Sequence, residues 1–117
     1  VDHMGRPDVK KGINAPEFRS FIDLMSENKN IWTKVTCPER LTITGPPYDD
    51  VIPFYRTIVE QFEDRVLWGT DWPHPNMKSH MPDDGALVDY IPRITEDPER
   101  QKKLLITNPM RLYWDGI

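Results

Sequence analysis

The stretch VLWGTDWPHP, residues 66–75, is typical of a short buried strand that ends at a carboxylate. Its apolar start, residues 66–68, suits a strand covered on both faces, and Gly69 lets another backbone approach closely. Asp71 stands where the apolar run ends, and two prolines restrict the backbone around His74. In parallel α/β folds, catalytic groups usually lie at the carboxyl ends of strands. Asp71 and His74 are therefore candidate functional residues, although a loop-capping aspartate and a surface histidine would give the same pattern.

Before this strand, the pattern of apolar residues predicts a helix and another strand. An amphipathic stripe predicts a helix over residues 16–28, and Asn14 with Glu17 forms a candidate capping box at its start. Residues 31–36 are rich in β-branched and aromatic side chains, which predicts a strand. Lys34 would be costly to bury in that strand without a partner.

Three further helices are predicted from apolar residues at helical spacing. The stripes consist of Val51, Tyr55, Ile58 and Phe62, then Leu87, Val88, Ile91 and Ile94, and finally Leu104 and Leu105. Either Asp49 or Asp50 can cap the first of these helices, and Pro92 is expected to break or kink the second. The third should start with Pro98 in its first turn and end at the Asn-Pro pair of residues 108–109.

Strands that alternate with amphipathic helices predict parallel βαβ units with right-handed crossovers. A flavodoxin-like domain would need about five strands, whereas the sequence offers two and the end of another at Val1. Two strands cannot close a sheet. The predicted fold is therefore α/β, with residues 1–117 forming the C-terminal portion, about two and a half βα units, of a TIM (β/α)8 barrel. We expect the chain to be part of a longer protein.

Composition and charge exclude several kinds of partner. The 117 residues carry a formal net charge of −4, which argues against nucleic acid or an anionic membrane surface as a partner. The sequence has no apolar run of about 20 residues and no signal-peptide pattern, so the expected location is cytoplasmic. The single cysteine, Cys37, cannot form an internal disulfide and is expected to be a small buried or loop residue.

Polar side chains follow each of the three predicted strand ends. His3 and Arg6 follow the first, Arg40 the second, and Asp71 and His74 the third. Each residue taken singly could be explained by pairing at the surface. Together they predict a positively charged pocket for an anion, because the guanidinium fork binds carboxylates with two hydrogen bonds. The aspartate in such a pocket would stay ionised and could act as a general base toward water, which predicts hydrolysis of a small acid.

Other kinds of site find less support. A His, His, Asp set could bind a metal, but neither His-x-His nor His-Glu-x-x-His spacing occurs, and His80 merely shares a loop with His74. The sequence also lacks a Gly-rich phosphate loop and a Gly-x-Ser-x-Gly elbow.

Four segments together resemble the amidohydrolase superfamily, and more narrowly its 2-pyrone-4,6-dicarboxylate lactonases. They are HMGRP at residues 3–7, CPERL at 37–41, WGTDWPHP at 68–75 and NPMRLY at 108–113. The resemblance implies a TIM barrel that opens the lactone ring of 2-pyrone-4,6-dicarboxylate, or of a similar carboxylated lactone, in the degradation of lignin-derived aromatic acids. It also implies no bound metal or other cofactor.

The same resemblance implies a role for each candidate residue. Asp71 would activate the hydrolytic water and then pass a proton to the leaving oxygen, and His3 would help to polarise the lactone carbonyl. Arg40 and Arg6 would hold the substrate carboxylates, with His74 as their neighbour. A complete family member also uses a His-x-His on its first strand and further arginines. The remainder of the barrel, or another copy of the chain, would have to supply these groups.

Two alternatives stay open. One is a metal-dependent amidohydrolase or decarboxylase of the same superfamily, with zinc or manganese, whose activity a chelator would abolish. The other is an inactive fragment that acts as a binding or assembly module, which would bind a substrate analogue without turnover.

Overall fold

The computed structural model describes residues 1–45, 47–69 and 84–115, and two short parallel strands lie at the centre of this part. Strand β1 (Thr33–Lys34) pairs with β2 (Val66–Leu67). In the register of this pair, Thr33 lies opposite Val66 and Lys34 lies opposite Leu67. The prediction of parallel α/β structure is confirmed, and β1 is shorter than the predicted strand over residues 31–36.

The first residue of the chain lies alongside β1. The amide of Lys34 donates to the carbonyl of Val1 at 3.3 Å, and the Thr33 hydroxyl donates to the same carbonyl at 2.8 Å. The amino group of Val1 donates to the carbonyl of Trp32 at 2.7 Å. Three chain segments therefore run side by side, as the sequence predicts, and the residues that follow them emerge at one edge.

Helix α1 (Pro16–Glu27) packs on the core through Phe18, Ile22 and Met25. Its extent agrees with the prediction, but the predicted capping box is wrong. Pro16 lies in the first turn and makes Ala15 the N-cap residue, one position later than Asn14. Glu17 pairs instead with Lys11 at 3.0 Å on the surface.

A single helical turn, α2 (Pro38–Leu41), follows β1, and α3 (Ile52–Phe62) follows the next loop. The buried side of α3 consists of Phe54, Tyr55, Ile58, Val59 and Phe62. The prediction that Asp49 or Asp50 caps α3 is wrong, since Val51 is the N-cap residue and makes no side-chain cap. Both carboxylates have other partners: Asp49 pairs with Arg93, and Asp50 binds the preceding loop.

Two short helices, α4 (Asp84–Asp89) and α5 (Ile91–Ile94), meet at Tyr90, which confirms the predicted break near Pro92. The break shifts the helical phase, so Val88 is 50% exposed and its predicted burial is wrong. Tyr90 is buried instead, with its ring 5.8 Å from that of Tyr55. None of the helices in the described ranges is both long and apolar enough to cross a membrane.

The last helical segment runs further than the sequence predicts. It begins as α6 (Pro98–Lys102) and continues through a π-helical turn (Lys103–Thr107), α7 (Asn108–Met110) and a second π-helical turn (Arg111–Asp115). The predicted start at Pro98 is confirmed, whereas the predicted end at the Asn-Pro pair is wrong. The π-helical turn widens the helix just before the proline, which relieves the clash between the proline ring and the preceding turn.

This segment buries one apolar side chain rather than the two predicted. Leu104 is 1% exposed and confirms its part of the prediction, whereas Leu105 is 45% exposed. At the polar side, Glu63 accepts from Arg100 Nε at 2.7 Å and from Lys103 Nζ at 2.9 Å. These hydrogen bonds lower the pKa of Glu63 below its usual value.

Asn108 joins this segment to β2. Its side chain is fully buried, and Nδ2 donates to the carbonyls of Glu63 at 2.6 Å and Val66 at 2.8 Å. Oδ1 has no hydrogen-bond partner within the described ranges. The asparagine therefore serves mainly as a double donor to the backbone at the start of the strand.

Replacing Asn108 with alanine should lower the free energy of unfolding by about 1–3 kcal/mol, because the carbonyls of Glu63 and Val66 lose a hydrogen-bond donor. Asn28→Ala is the matched control, since the exposed Asn28 amide donates to one helical carbonyl, that of Leu24 at 2.9 Å. Asn28→Ala should lower the free energy of unfolding by less than about 0.5 kcal/mol. Urea unfolding of the full-length protein measures both changes, and equal losses would contradict the anchoring role.

Candidate functional site

A cavity of about 250 Å³ opens where the three parallel segments end. Its lining consists of His3, Lys34, Thr36, Leu67, Trp68, Gly69, Pro109 and Tyr113. His3 follows the segment at Val1, Thr36 follows β1, and Gly69 follows β2. The strand ends therefore converge on one cavity, as the sequence predicts for a parallel arrangement.

An unusual turn brings His3 into this cavity. His3, Met4, Gly5 and Arg6 all have positive φ, between 53° and 72°. Only glycine adopts this left-handed conformation without strain. For any other residue the conformation costs about 1–2 kcal/mol of conformational free energy. Burial of Met4, which is 1% exposed, and a 2.9 Å hydrogen bond from the Arg6 amide to the His3 carbonyl stabilise the turn.

The imidazole of His3 contacts two side chains at the end of β1. Nδ1 forms a hydrogen bond with Thr36 Oγ1, and Nε2 lies 3.6 Å from Cys37 Sγ. The Tyr55 hydroxyl donates to the carbonyl of Thr36. His3 is 7% exposed, so its ring is fixed by buried neighbours. Cys37 is 1% exposed, which confirms the expectation of a small buried residue.

Side-chain hydrogen bonds fix the loop that follows α2. Asp50 accepts from the Thr42 hydroxyl at 2.6 Å and from the Ile43 amide at 2.8 Å. The Thr42 oxygen in turn accepts from the amides of Thr44 and Gly45. Burial by itself would raise the pKa of Asp50, but the hydrogen bonds outweigh it and hold that pKa below its usual value. We call Thr42, Ile43 and Asp50 the loop clamp.

The other candidate residues lie in different places. Arg6 lines a second cavity, of about 210 Å³, together with Asp8, Lys11 and Glu17. Arg40 is partly buried on α2 and is not among the lining residues of either cavity. Asp71, His74 and His80 lie outside the described residues. His3 is thus the candidate found in the strand-end cavity, and the roles of all five candidates stay predictions.

Sequence reasoning missed two polar residues that line the cavity. Lys34 and Thr36 are separated by two positions, so they project from the same side of an extended chain. Thr33 precedes Lys34, and Val35 lies between Lys34 and Thr36. Both are buried, on the other side of the chain. This alternation within residues 31–36 is the sequence signal that places Lys34 and Thr36 on one face of the strand.

The described residues offer few ligands for a metal ion. No group of three or more His, Cys, Asp or Glu side chains comes together there in a way that could hold a metal ion. The contact between His3 and Cys37 supplies two potential ligands, whereas a protein zinc site ordinarily has at least three.

Comparison with known proteins relates the chain to one family. The sequence profile described as amidohydrolase matches residues 1–114. A 2-pyrone-4,6-dicarboxylate hydrolase from Comamonas testosteroni is 62% identical over 97% of the chain and 40% of its own length. A 4-sulfomuconolactone hydrolase from Hydrogenophaga intermedia is 38% identical, again over 97% of the chain, and over 38% of its own length.

A solved structure is similar over the full chain. It is a probable 2-pyrone-4,6-dicarboxylic acid hydrolase from Acinetobacter baumannii with citric acid bound, and it matches with a TM-score of 0.79 and 31% identity. The match covers 100% of this chain and 43% of that structure. The chain therefore spans about two fifths of the length of the relatives that it matches.

The loop clamp should make stability depend on the charge of Asp50. Because its pKa is lowered in the folded state, the stabilisation is complete above the unfolded pKa, about 4, and is lost as pH falls through the folded pKa. Asp50→Asn should therefore reduce the free energy of unfolding at pH 7 by about 1–2 kcal/mol, since an amide nitrogen cannot accept from the Ile43 amide.

The difference from the unmodified protein should shrink below about pH 4. Asp23→Asn, at an exposed position on α1, is the control and should change stability by less than about 0.5 kcal/mol at any pH. Urea unfolding at several pH values measures both variants. A difference that stays constant down to acid pH would rule out the charged clamp.

Proposed function

Because this chain belongs to the amidohydrolase family, we propose that the protein containing it hydrolyses the lactone ring of 2-pyrone-4,6-dicarboxylate or of a similar carboxylated lactone. The observation that carries the proposal is the 62% identity, over nearly the whole chain, to a hydrolase of that substrate. The relative of lower identity is also named as a lactone hydrolase, which supports the same class of reaction.

In this proposal the chain forms the C-terminal part of a TIM (β/α)8 barrel. The parallel pairing of β1 and β2 beneath covering helices supports it, as does the match to two fifths of a larger structure. Large apolar side chains on the last helical segment are exposed, among them Ile106, Met110 and Trp114. Such a face favours contact with further protein, and the remaining strands and helices of the barrel are the partner that we propose for it.

The proposed reaction adds water across the lactone C–O bond. His3 would donate a hydrogen bond to the lactone carbonyl oxygen, which develops negative charge as water attacks its carbon. Asp71 would take the proton from that water and then return it to the ring oxygen as the C–O bond breaks. The products would be an enol and a carboxylic acid, which ionises to the carboxylate and releases one proton, with no reactant other than water consumed.

Positive charge at the site would select an anionic substrate. Arg40, Arg6 and His74 would hold its carboxylates, with the guanidinium groups binding through paired hydrogen bonds. Lys34, partly buried in the strand-end cavity, adds a further cation near His3. We propose that the reaction needs no cofactor, and assays with and without a chelator would distinguish it from the metal-dependent alternative.

Asp71→Asn in the full-length protein should lower kcat for pyrone dicarboxylate by about 10²- to 10⁴-fold, because an amide cannot accept the proton of the attacking water. Loss of the pyrone ultraviolet absorption measures turnover. The substrate should still bind, since the charge and shape of the arginine groups are unchanged. Asp89→Asn, on the exposed side of α4, is the matched control and should retain full activity. Near-normal turnover by the Asp71 variant would rule out the general-base role.

Arg40→Lys should raise KM for the dicarboxylate about tenfold and change kcat less, because lysine keeps the charge but loses the paired hydrogen bonds to a carboxylate. Arg56→Lys is the matched control. Arg56 is exposed on α3, and its side chain donates to the carbonyl of Arg93 at 2.9 Å. Steady-state kinetics on both variants make the test, and an unchanged KM for Arg40→Lys would remove Arg40 from the substrate site.

A further inference from the structure

The two ring nitrogens of His3 meet neighbours of different character. Nδ1 shares a hydrogen bond with the hydroxyl of Thr36, which can either donate or accept. Nε2 faces the Cys37 sulfur at 3.6 Å, and a thiol is a weak hydrogen-bond partner. The direction of the hydrogen bond with the threonine hydroxyl therefore favours one of the two His3 tautomers.

The surroundings of Thr36 decide the direction of that hydrogen bond. Thr36 is 3% exposed, so its hydroxyl proton cannot be given to bulk water. Within the described ranges, the hydroxyl oxygen has no hydrogen-bond partner other than His3 Nδ1. A buried donor left unsatisfied costs about 1–3 kcal/mol. The favoured arrangement is therefore the one in which the hydroxyl donates and Nδ1 accepts.

The position of the hydroxyl is itself fixed. The carbonyl of Thr36 accepts from the Tyr55 hydroxyl on α3, and the amide of the preceding residue, Val35, donates to the Leu67 carbonyl at 2.8 Å. These contacts hold the end of β1 from two sides. The threonine can therefore orient the imidazole without moving itself.

We propose that Thr36 is a positioning residue that holds neutral His3 in the tautomer protonated at Nε2. The inference rests on the proposed role of His3 as a donor to the lactone carbonyl. In this tautomer Nε2–H can donate to a carbonyl oxygen, and the weak contact with Cys37 Sγ is readily exchanged for that stronger acceptor. Without the hydroxyl, Nδ1 would lose the donor that favours this tautomer, and the fraction of rings with no proton on Nε2 would rise.

The first test reads the tautomer and needs no activity. The full-length protein is labelled with ¹⁵N-histidine, and ring-nitrogen shifts are recorded at a pH where the imidazole is neutral, with His3→Gln identifying the His3 signals. We expect the unmodified protein to carry its proton on Nε2. Thr36→Val, which replaces the hydroxyl with a methyl group of similar size, should give a mixture of tautomers, and Thr36→Ser should restore the original one.

The second test reads turnover. Thr36→Val should lower kcat for pyrone dicarboxylate about 10- to 100-fold, the size of loss found when the hydrogen bond that orients a metal-ligating histidine is removed. KM should change less than about threefold, because the donor acts mainly on charge that develops in the transition state. Thr36→Ser should recover most of the lost kcat.

Thr33→Val is the matched control. Thr33 lies on the same strand and is 1% exposed, and its hydroxyl donates to the Val1 carbonyl rather than to His3. The substitution should lower Tm about as much as Thr36→Val does, yet leave the His3 tautomer and kcat close to those of the unmodified protein. This comparison separates loss of a buried hydroxyl from loss of the contact with the imidazole.

Several results would overturn the proposal. They are a proton on Nδ1 in the unmodified protein, an unchanged tautomer in Thr36→Val, and a kcat loss in Thr36→Val no larger than that in Thr33→Val. The first needs no variant, so it decides the question even where a substitution prevents folding. If the unmodified protein opened no lactone, the proposed function would fail, while the tautomer measurement would still decide whether Thr36 controls His3.

Discussion

The parallel pairing of β1 with β2 is the constraint on which the rest of this structure depends. With Thr33 opposite Val66 and Lys34 opposite Leu67, one face of the pair packs against helices and the other lines the cavity. Side chains alternate between the two faces of a strand, so a shift of one residue would reverse this arrangement. It would place Lys34 against the helices and turn apolar side chains into the site. The register of the strand pair therefore decides which side chains line the cavity.

Contacts between side chains and backbone hold this pairing at the end opposite the cavity. Arg65, just before β2, donates to the carbonyls of Met25, Asn28 and Ile31, at and beyond the end of α1. Asn108 donates to carbonyls on either side of Arg65. Each contact joins segments that are far apart in sequence, and each satisfies carbonyls that would otherwise lack a donor. These contacts stabilise the strand pair at one end, and the cavity lies at the other end.

What the sequence could predict followed from local periodicity. The apolar stripe of α1 and the buried run that becomes β2 depend on spacing alone, and both were predicted correctly. The predicted helix caps were wrong because a carboxylate such as that of Asp50 can accept from several donors, and only the folded chain decides which donor lies near it. The same reason explains the site. Reasoning from strand ends predicted His3, and alternation along residues 31–36 could have placed Thr36 on the same face as Lys34, but its contact with His3 joins segments 33 residues apart and has no local signal.

The backbone itself indicates that this contact serves more than packing. His3 and Cys37 both adopt left-handed conformations that favour glycine, and each lies directly beyond a parallel segment. Neither conformation is needed for the strands to pair, because the pairing is complete before each residue is reached. Strain of this kind persists only where the surroundings determine it, and it concentrates at functional sites. Together the two turns bring the imidazole of His3 against Thr36, at the cavity where β1, β2 and the segment at Val1 end.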